Sequence, residues 1–199
     1  MKMLKKVAAI ALAGVLALSV LTGCGSKNST GTVVDGLNDL AKLEGDSVTY
    51  VADSQMDEKA SAIAKTVEEK AGDQDFSGKK AWQIIQELQK NSDLMAALKP
   101  LLTFDEAVCG DETKPLYSIS FMEIGQSFNI ADGKNAYYAM GLSNTQSLND
   151  PTSLAINEGW KEKGTSKVGT ATCTIGSKQY MVAMFQCPII KVVYHYEHN

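Results

Sequence analysis

The chain contains no arginine among its 199 residues, and its 23 acidic residues outnumber its 19 basic ones. Arginine is the planar, two-pronged donor with which proteins most often bind phosphate and carboxylate groups, so its absence disfavours anion recognition. Binding to nucleic acid requires a basic surface, whereas this chain carries a net charge of −4. The composition therefore argues against a nucleic-acid partner.

Histidine is almost as scarce, since only His195 and His198 occur, both at the C-terminal end. The sequence contains no Gly-x-Ser-x-Gly motif, and neither histidine forms a recognisable catalytic pattern with a cysteine. Two histidines on a terminal segment, without a third ligand close in sequence, indicate an exposed tail rather than a metal site. We therefore predict no catalytic residues.

The first 23 residues have the pattern of a secretory signal peptide. Lys2, Lys5 and Lys6 precede an uninterrupted apolar run from Val7 to Leu21. This run of 15 residues is shorter than the roughly 18 to 20 needed to span a bilayer, which makes a permanent membrane helix the weaker interpretation. Cleavage after residue 23 would leave a mature charge of about −7.

The apolar run ends in Leu21-Thr22-Gly23-Cys24, which resembles the lipobox of bacterial lipoproteins. In that family a dedicated peptidase cleaves before the invariant cysteine, whose thiol carries diacylglycerol with fatty acyl chains such as palmitate. The resemblance implies that Cys24 is lipidated and holds the protein on the cell membrane, facing outside the cytoplasm, since two acyl chains anchor a protein stably. The alternative is a soluble secreted protein in which Cys24 merely lies near a cleavage site.

Small polar residues follow this cysteine, so residues 24–32 are predicted to be a lipidated cysteine and a flexible tether. The remaining residues, 33–199, are enough for a single globular domain with its own core. Only a loose helical spacing occurs at the start of this domain, over residues 33–43.

Helical patterns dominate the first half of the domain. The clearest helix begins at Ser54, which forms an N-cap pattern with Asp57, and it ends at Gly72. A second helical region follows Ser77 and continues to Pro100 with a pause at residues 91–92. Residues 103–110 are predicted to be a short third helix. The predicted buried stripe of the first helix is Met56, Ala60, Ile63 and Val67.

The apolar period then changes from helical to two, which is typical of strands. The predicted strands cover residues 117–121, 167–175, 178–187 and 189–196. Apolar residues occupy both faces of the strand at 178–187, so both faces should be covered. We also predict a hairpin at Asp132-Gly133 and a helix that carries Leu154, Ile156 and Trp160. Helices followed by antiparallel strands predict an α+β fold with a C-terminal hairpin.

The cysteines that remain are Cys109, Cys173 and Cys187. A two-residue turn at residues 176–177 would place Cys173 opposite Tyr180, and Cys187 would lie about 23 Å further along the strand. A disulfide needs Cα atoms within about 7 Å of each other. We therefore predict that Cys173 and Cys187 are buried, reduced thiols.

The segment after the first clear helix matches four positions of a calcium loop of the EF-hand type. Asp73, Asp75 and Ser77 stand at ligand positions 1, 3 and 5, and Gly78 stands at position 6. Position 12, which should be a bidentate glutamate, is Ile84, so we expect any calcium binding to be weak. The alternative is an ordinary polar connection in which Ser77 caps the following helix.

Two segments also resemble the CAP (cysteine-rich secretory protein) family as it occurs in secreted bacterial proteins. The segments are residues 54–65 with residues 75–77, and Trp160 with residues 168–185. The resemblance implies an α-β-α sandwich. Many members carry a cleft with two histidines and acidic residues, but here Gly78 replaces the first histidine and Lys134-Asn135 replaces a Glu-Asn pair. The resemblance therefore implies the fold without its site.

These observations predict a membrane-anchored lipoprotein with an α+β domain that acts as a non-catalytic binding or structural module. The alternatives are a degenerate CAP-like domain and a weak calcium-binding module. The expected partners are the membrane, through the lipid, and an unidentified protein or small molecule. Calcium is the one cofactor that the sequence suggests.

Overall fold

The computed structural model describes residues 30–76, 79, 81–108, 110–124, 146–149, 160–162 and 164–191. The helices are α1 (Thr30–Glu44), α2 (Ser54–Ala71), α3 (Ala81–Lys90) and α4 (Ser92–Leu98). The strands are β1 (Val48–Ala52), β2 (Leu116–Glu123), β3 (Gln146–Ser147), β4 (Trp160–Glu162), β5 (Gly164–Ile175), β6 (Lys178–Cys187) and β7 (Ile189–Lys191). Helices come first and most strands later, so the α+β prediction is confirmed.

Helix α1 begins at Thr30, three residues before the predicted start of the domain at residue 33. Residues 30–32 therefore belong to the folded part. The helix forms despite Gly31 and Gly36 because its inner face is apolar. Val33, Val34 and Leu37 are buried, and this burial outweighs the helix-weakening effect of the two glycines.

Helix α2 has the predicted stripe of buried residues, and all four predicted positions are at most 4% exposed. Its N-cap lies one residue earlier than predicted. The side chain of Asp53 accepts hydrogen bonds from the backbone N–H groups of Gln55 and Met56, at 3.0 and 3.1 Å. Asp57, which the sequence assigned to the cap, is thereby free to bond a strand instead.

The predicted helix at residues 103–110 is wrong, since the described part of this segment is irregular. Its polar groups bond to other parts of the chain. The Thr103 hydroxyl donates to the carbonyl of Lys99 at 2.7 Å, and the N–H of Ala107 donates to the carbonyl of Asn149 at 3.1 Å. The Asn149 side chain in turn donates to the carbonyl of Asp105 at 2.7 Å. The two bonds with Asn149 are long-range and replace the helical ladder that the local pattern suggested.

The main sheet has the strand order β1-β5-β6-β2-β3. The β5–β6 hairpin turns at residues 176–177 and pairs Cys173 with Tyr180, as predicted. Cys173 and Cys187 are both buried and lie far apart along the hairpin, so the prediction that no disulfide joins them to each other is confirmed. Strand β1, which the sequence did not predict, pairs with β5 in parallel and makes the sheet mixed.

Helices cover both faces of this sheet and give three layers. Helices α2, α3 and α4 pack on one face, over the alternate β6 residues Tyr180, Val182 and Met184. Helix α1 packs on the other face, over Met181, Ala183, Phe185 and Cys187. Strand β6 is therefore buried on both sides, as its composition predicted. The sheet therefore lies between two helical layers.

Trp160 does not end a helix as predicted. It begins β4, which pairs with β7 in a separate two-stranded sheet, so its backbone groups belong to a strand ladder. Leu154, Ile156 and the predicted hairpin at Asp132-Gly133 lie outside the described residues.

Candidate functional sites

The proposed lipidation site, Cys24, and the lipobox residues Leu21, Thr22 and Gly23 lie outside the described residues. The structure describes the chain from Thr30, six positions after the cysteine. Thr30 is the first described residue after most of the predicted tether, so its contacts show how the tether would be attached to the domain.

Thr30 is tied to the domain by a compact set of hydrogen bonds. Its hydroxyl donates to Oδ1 of Asp57 at 2.7 Å, and the same Oδ1 accepts the backbone N–H of Thr170 at 2.9 Å. The hydroxyls of Thr30 and Thr170 lie 2.7 Å apart. Because the Thr30 hydrogen is already given to Asp57, the Thr170 hydroxyl is the donor in this pair.

The position of this network follows from the end of strand β1. The last β1 residue, Ala52, pairs with Val168, and the backbone N–H of Asp53 donates to the Val168 carbonyl at 2.9 Å. The N–H of Thr170 lies just beyond, where β1 no longer runs beside β5. The Asp57 carboxylate takes the place of a strand partner there, at the N-terminal end of α2, which favours a negative charge.

We expect Asp57→Ala to lower the free energy of unfolding by about 2 kcal/mol, because it leaves the Thr30 hydroxyl and the Thr170 N–H without their shared acceptor. Urea unfolding followed by circular dichroism measures the change. Glu58→Ala, on the exposed side of the same turn, is the matched control and should change stability by less than about 0.5 kcal/mol. Equal effects of the two variants would contradict the role of Asp57.

The predicted calcium loop connects α2 to α3. Asp73 and Asp75 are exposed, whereas Phe76 between the ligand positions is buried in the core. The loop is attached to the β5–β6 turn, since the N–H of Gly176 donates to the carbonyl of Gly72 at 2.8 Å. Ser77 and Gly78 lie outside the described residues. Ile84, at position 12, is fully buried, and its side chain has no oxygen to offer a cation.

Calcium is expected to bind this loop too weakly to stabilise the fold. In the part of the chain that the structure describes, no three His, Cys, Asp or Glu side chains form a group that could hold a metal. The prediction is that millimolar calcium leaves the melting temperature unchanged for the protein and for its Asp75→Asn variant. A rise for the protein that the variant abolishes would contradict it, because ligand binding stabilises the native state.

Two buried titratable groups, Cys173 and Tyr180, face each other across the β5–β6 hairpin. Burial raises the pKa of Cys173 to about 12, and the nearby charge of Glu68 contributes. Burial likewise raises the pKa of Tyr180 to about 12, with smaller contributions from Glu123 and Cys173. Both groups are therefore neutral at physiological pH, and the Cys173 thiol lacks the thiolate character of a nucleophile.

The Tyr180 hydroxyl is buried without a hydrogen-bond partner among the described residues, while its ring stacks on Phe121 at 5.1 Å between centroids. We expect Tyr180→Phe to keep the stacking and to raise stability at pH 7 by about 1 kcal/mol, because it removes an unsatisfied polar group. A loss of stability at pH 7 would show that the hydroxyl has a partner.

Tyr180→Phe should also lose less stability than the parent protein when the pH is raised. In the unfolded chain these thiol and phenol groups ionise from about pH 9 and 10, but in the fold only near pH 12. Their contribution to the free energy of unfolding is therefore fully present below pH 9 and is lost as the pH rises from 9 to 12. Melting temperatures between pH 8 and 11 should fall less steeply for Tyr180→Phe than for the parent protein.

An open cleft of about 520 Å³ lies where β5 begins. Its walls include Lys167 on β5 and the acidic residues Asp111 and Glu112. The Thr113 hydroxyl and N–H donate to the Asp111 carboxylate and lower its pKa, and the Lys167 ammonium lies 3.4 Å from a carboxylate oxygen of Asp53. Charges of both signs therefore surround the cleft, which suits a polar partner.

The chain matches no family model, no curated protein and no solved structure. Within the described residues, no helix has the length and apolar character needed to cross a bilayer.

Proposed function

We propose that this protein is a lipid-anchored lipoprotein that acts outside the cytoplasm as a non-catalytic binding or structural module. The observation that carries the proposal is the sequence Leu21-Thr22-Gly23-Cys24 at the end of a 15-residue apolar run with basic residues before it. This order of charge, apolar run and small residues is that of an exported chain, and a cysteine at this point resembles a lipobox.

The geometry of the domain supports this role. The fold begins only six positions after Cys24 and holds its first residue firmly through Asp57 and Thr170. The buried thiol of Cys173 and the buried phenol of Tyr180 stay neutral at physiological pH, so they contribute to packing rather than to chemistry. The polar cleft beside Lys167 is the surface that we assign to a protein or small-molecule partner.

Metabolic labelling tests the proposed acylation. Cells that produce the protein are supplied with an alkyne fatty acid, and the purified chain is then coupled to a fluorescent azide. We expect labelled protein from the parent chain and none from Cys24→Ala, whereas Cys109→Ala should label like the parent. Equal labelling of the parent and Cys24→Ala would refute a lipid at this position.

A degenerate CAP-like domain is the second candidate. Helix α2 packs along β5 and β6, which is the arrangement that the resemblance implies for residues 54–65 and 168–185. The positions that should carry the cleft residues, Gly78 and Lys134-Asn135, lie outside the described residues and have other side chains than the family requires. This candidate therefore shares the fold class with the first and adds no catalytic role.

A further inference from the structure

The start of helix α1, where the proposed tether joins the domain, is held in place by its contacts. The hydroxyl of Thr30 is held by Asp57 and Thr170, and Val33, one turn later in α1, is fully buried. The first turn of α1 therefore cannot peel away to lengthen the tether without breaking these contacts.

The chain between the proposed lipid and this point is short. Six positions separate Cys24 from Thr30, and even a fully extended chain of that length covers only about 20 Å. A flexible chain of the same length spans about 13 Å on average. A folded domain of this size has a diameter of about 40 Å, so the tether is too short for the side opposite Thr30 to turn towards the lipid.

We propose that the surface around Thr30 is the membrane-facing surface of the domain and that its occupant is the layer of phospholipid headgroups. This surface consists of the first turn of α1, the first turn of α2 and the β5 edge at Thr170. The proposal rests on the proposed lipid anchor at Cys24. It adds an orientation, because strand β3 then lies on the side of the sheet that points away from the bilayer.

The chemistry of this surface fits contact with headgroups and not insertion into the bilayer. Gly31, Ser54 and Glu58 are exposed there, and Asp57 adds a second carboxylate. The large apolar residues that are exposed in the described part of the chain are Leu43, Val51, Met95 and Val108. None of them lies in the first turn of α1 or α2.

The strand register supplies two labelling positions at opposite sides of the sheet. Gly31 is exposed, and an added Cβ there meets no atom within 4 Å. Gln146 on β3 is exposed and lies in one cross-strand row with Ile119, Met184 and Gly169. Three strand spacings separate the ends of this row, or about 14 Å.

Energy transfer from a donor dye at either position to a lipid-linked acceptor measures the height above the bilayer. Gly31→Cys and Gln146→Cys are made in a Cys109→Ser background of the full lipidated chain, in which Cys173 and Cys187 are buried. The protein is reconstituted into phosphatidylcholine vesicles. We expect position 31 to lie lower than position 146, because its neighbour Thr30 is bonded to Thr170 on β5, and β5 lies three strand spacings, or about 14 Å, from β3. Inserting about 20 Gly and Ser residues after Ser26 should remove this difference, because a long tether lets the domain rotate.

Equal heights at the two positions with the natural tether, or a lower position 146, would overturn the proposed orientation and leave the lipid anchor intact. Absence of transfer from both positions, matching the Cys24→Ala protein, would overturn the lipid anchor and this proposal together. A difference that persists with the long tether would show that something other than tether length orients the domain, and it would overturn the argument.

Discussion

Gly169→Ala is expected to lower the free energy of unfolding by about 3 kcal/mol or more, because β5 and α2 touch at this residue. An added Cβ would lie 2.0 Å from the carbonyl carbon of Met56 and 2.0 Å from the backbone nitrogen of Asp57. These are backbone atoms, so no side chain can rotate away. The first turn of α2 would have to lift from the strand.

That movement would also strain the neighbouring bonds. The N–H of Thr170 donates to Asp57 at 2.9 Å, and the N–H of Asp53 donates to Val168 at 2.9 Å, one residue on either side of the glycine. Both bonds require the close approach that Gly169 permits. The variant is therefore expected to lose more stability than a single methyl group normally costs.

Urea unfolding followed by circular dichroism measures this effect, and Gly31→Ala is the matched control. Gly31 lies in α1 and has nothing within 4 Å of an added Cβ, so alanine should stabilise the helix by up to about 1 kcal/mol. Equal stabilities for the two variants would show that β5 and α2 are further apart than described.

Once residues 1–23 are removed, Cys24→Ala is expected to move the protein from the membrane fraction to the soluble fraction almost completely. Each buried methylene of an acyl chain contributes about 0.8 kcal/mol to membrane binding, so the loss of two chains removes the whole anchor. In the described part of the chain, no other element is long and apolar enough to replace it. Detergent phase partitioning of cell extracts measures the distribution.

The control for this prediction is Cys109→Ala, which should stay in the membrane fraction. Circular dichroism should show the same fold for Cys24→Ala and the parent, because Cys24 precedes the first described helix. Retention in the membrane fraction of Cys24→Ala protein from which residues 1–23 have been removed would contradict the lipid anchor.

Several features of the fold are predictable from sequence because the signals are local. The stripe of helix α2 repeats at helical intervals, and all its predicted members are buried. The β5–β6 hairpin has a turn at residues 176–177, where Gly176 adopts a φ of 59°, a conformation that glycine adopts readily. The register of this hairpin then follows, and with it the separation of Cys173 and Cys187.

Other features depend on partners that are distant in sequence. Asp57 and Thr170 are separated by 113 residues, so the local pattern assigned Asp57 to a helix cap and gave no sign of its bond to a strand edge. Strand β1 has five residues and owes its place to pairing with β5. The segment at residues 103–110 fits a helix by its own pattern, but its bonds to the distant Asn149 decide otherwise.

The candidate sites also differ in whether a local pattern in the sequence predicts them. The resemblance to a lipobox rests on a contiguous pattern, which is why Cys24 can be proposed from sequence alone. The proposed membrane-facing surface could not be foreseen, because it depends on which residues of α2 and β5 meet Thr30. The glycine at position 169 carries no local signal for its close contact with Met56, since the strand pattern around it is continuous.

The mass of the N-terminal peptide tests directly whether Cys24 carries a lipid. The protein is extracted from bacterial membranes, digested with trypsin and analysed by mass spectrometry. We expect a first peptide that starts at Cys24 and carries the mass of a diacylglyceryl group on its sulfur. A peptide with an unmodified thiol at position 24, or one that still contains residues 21–23, would contradict it.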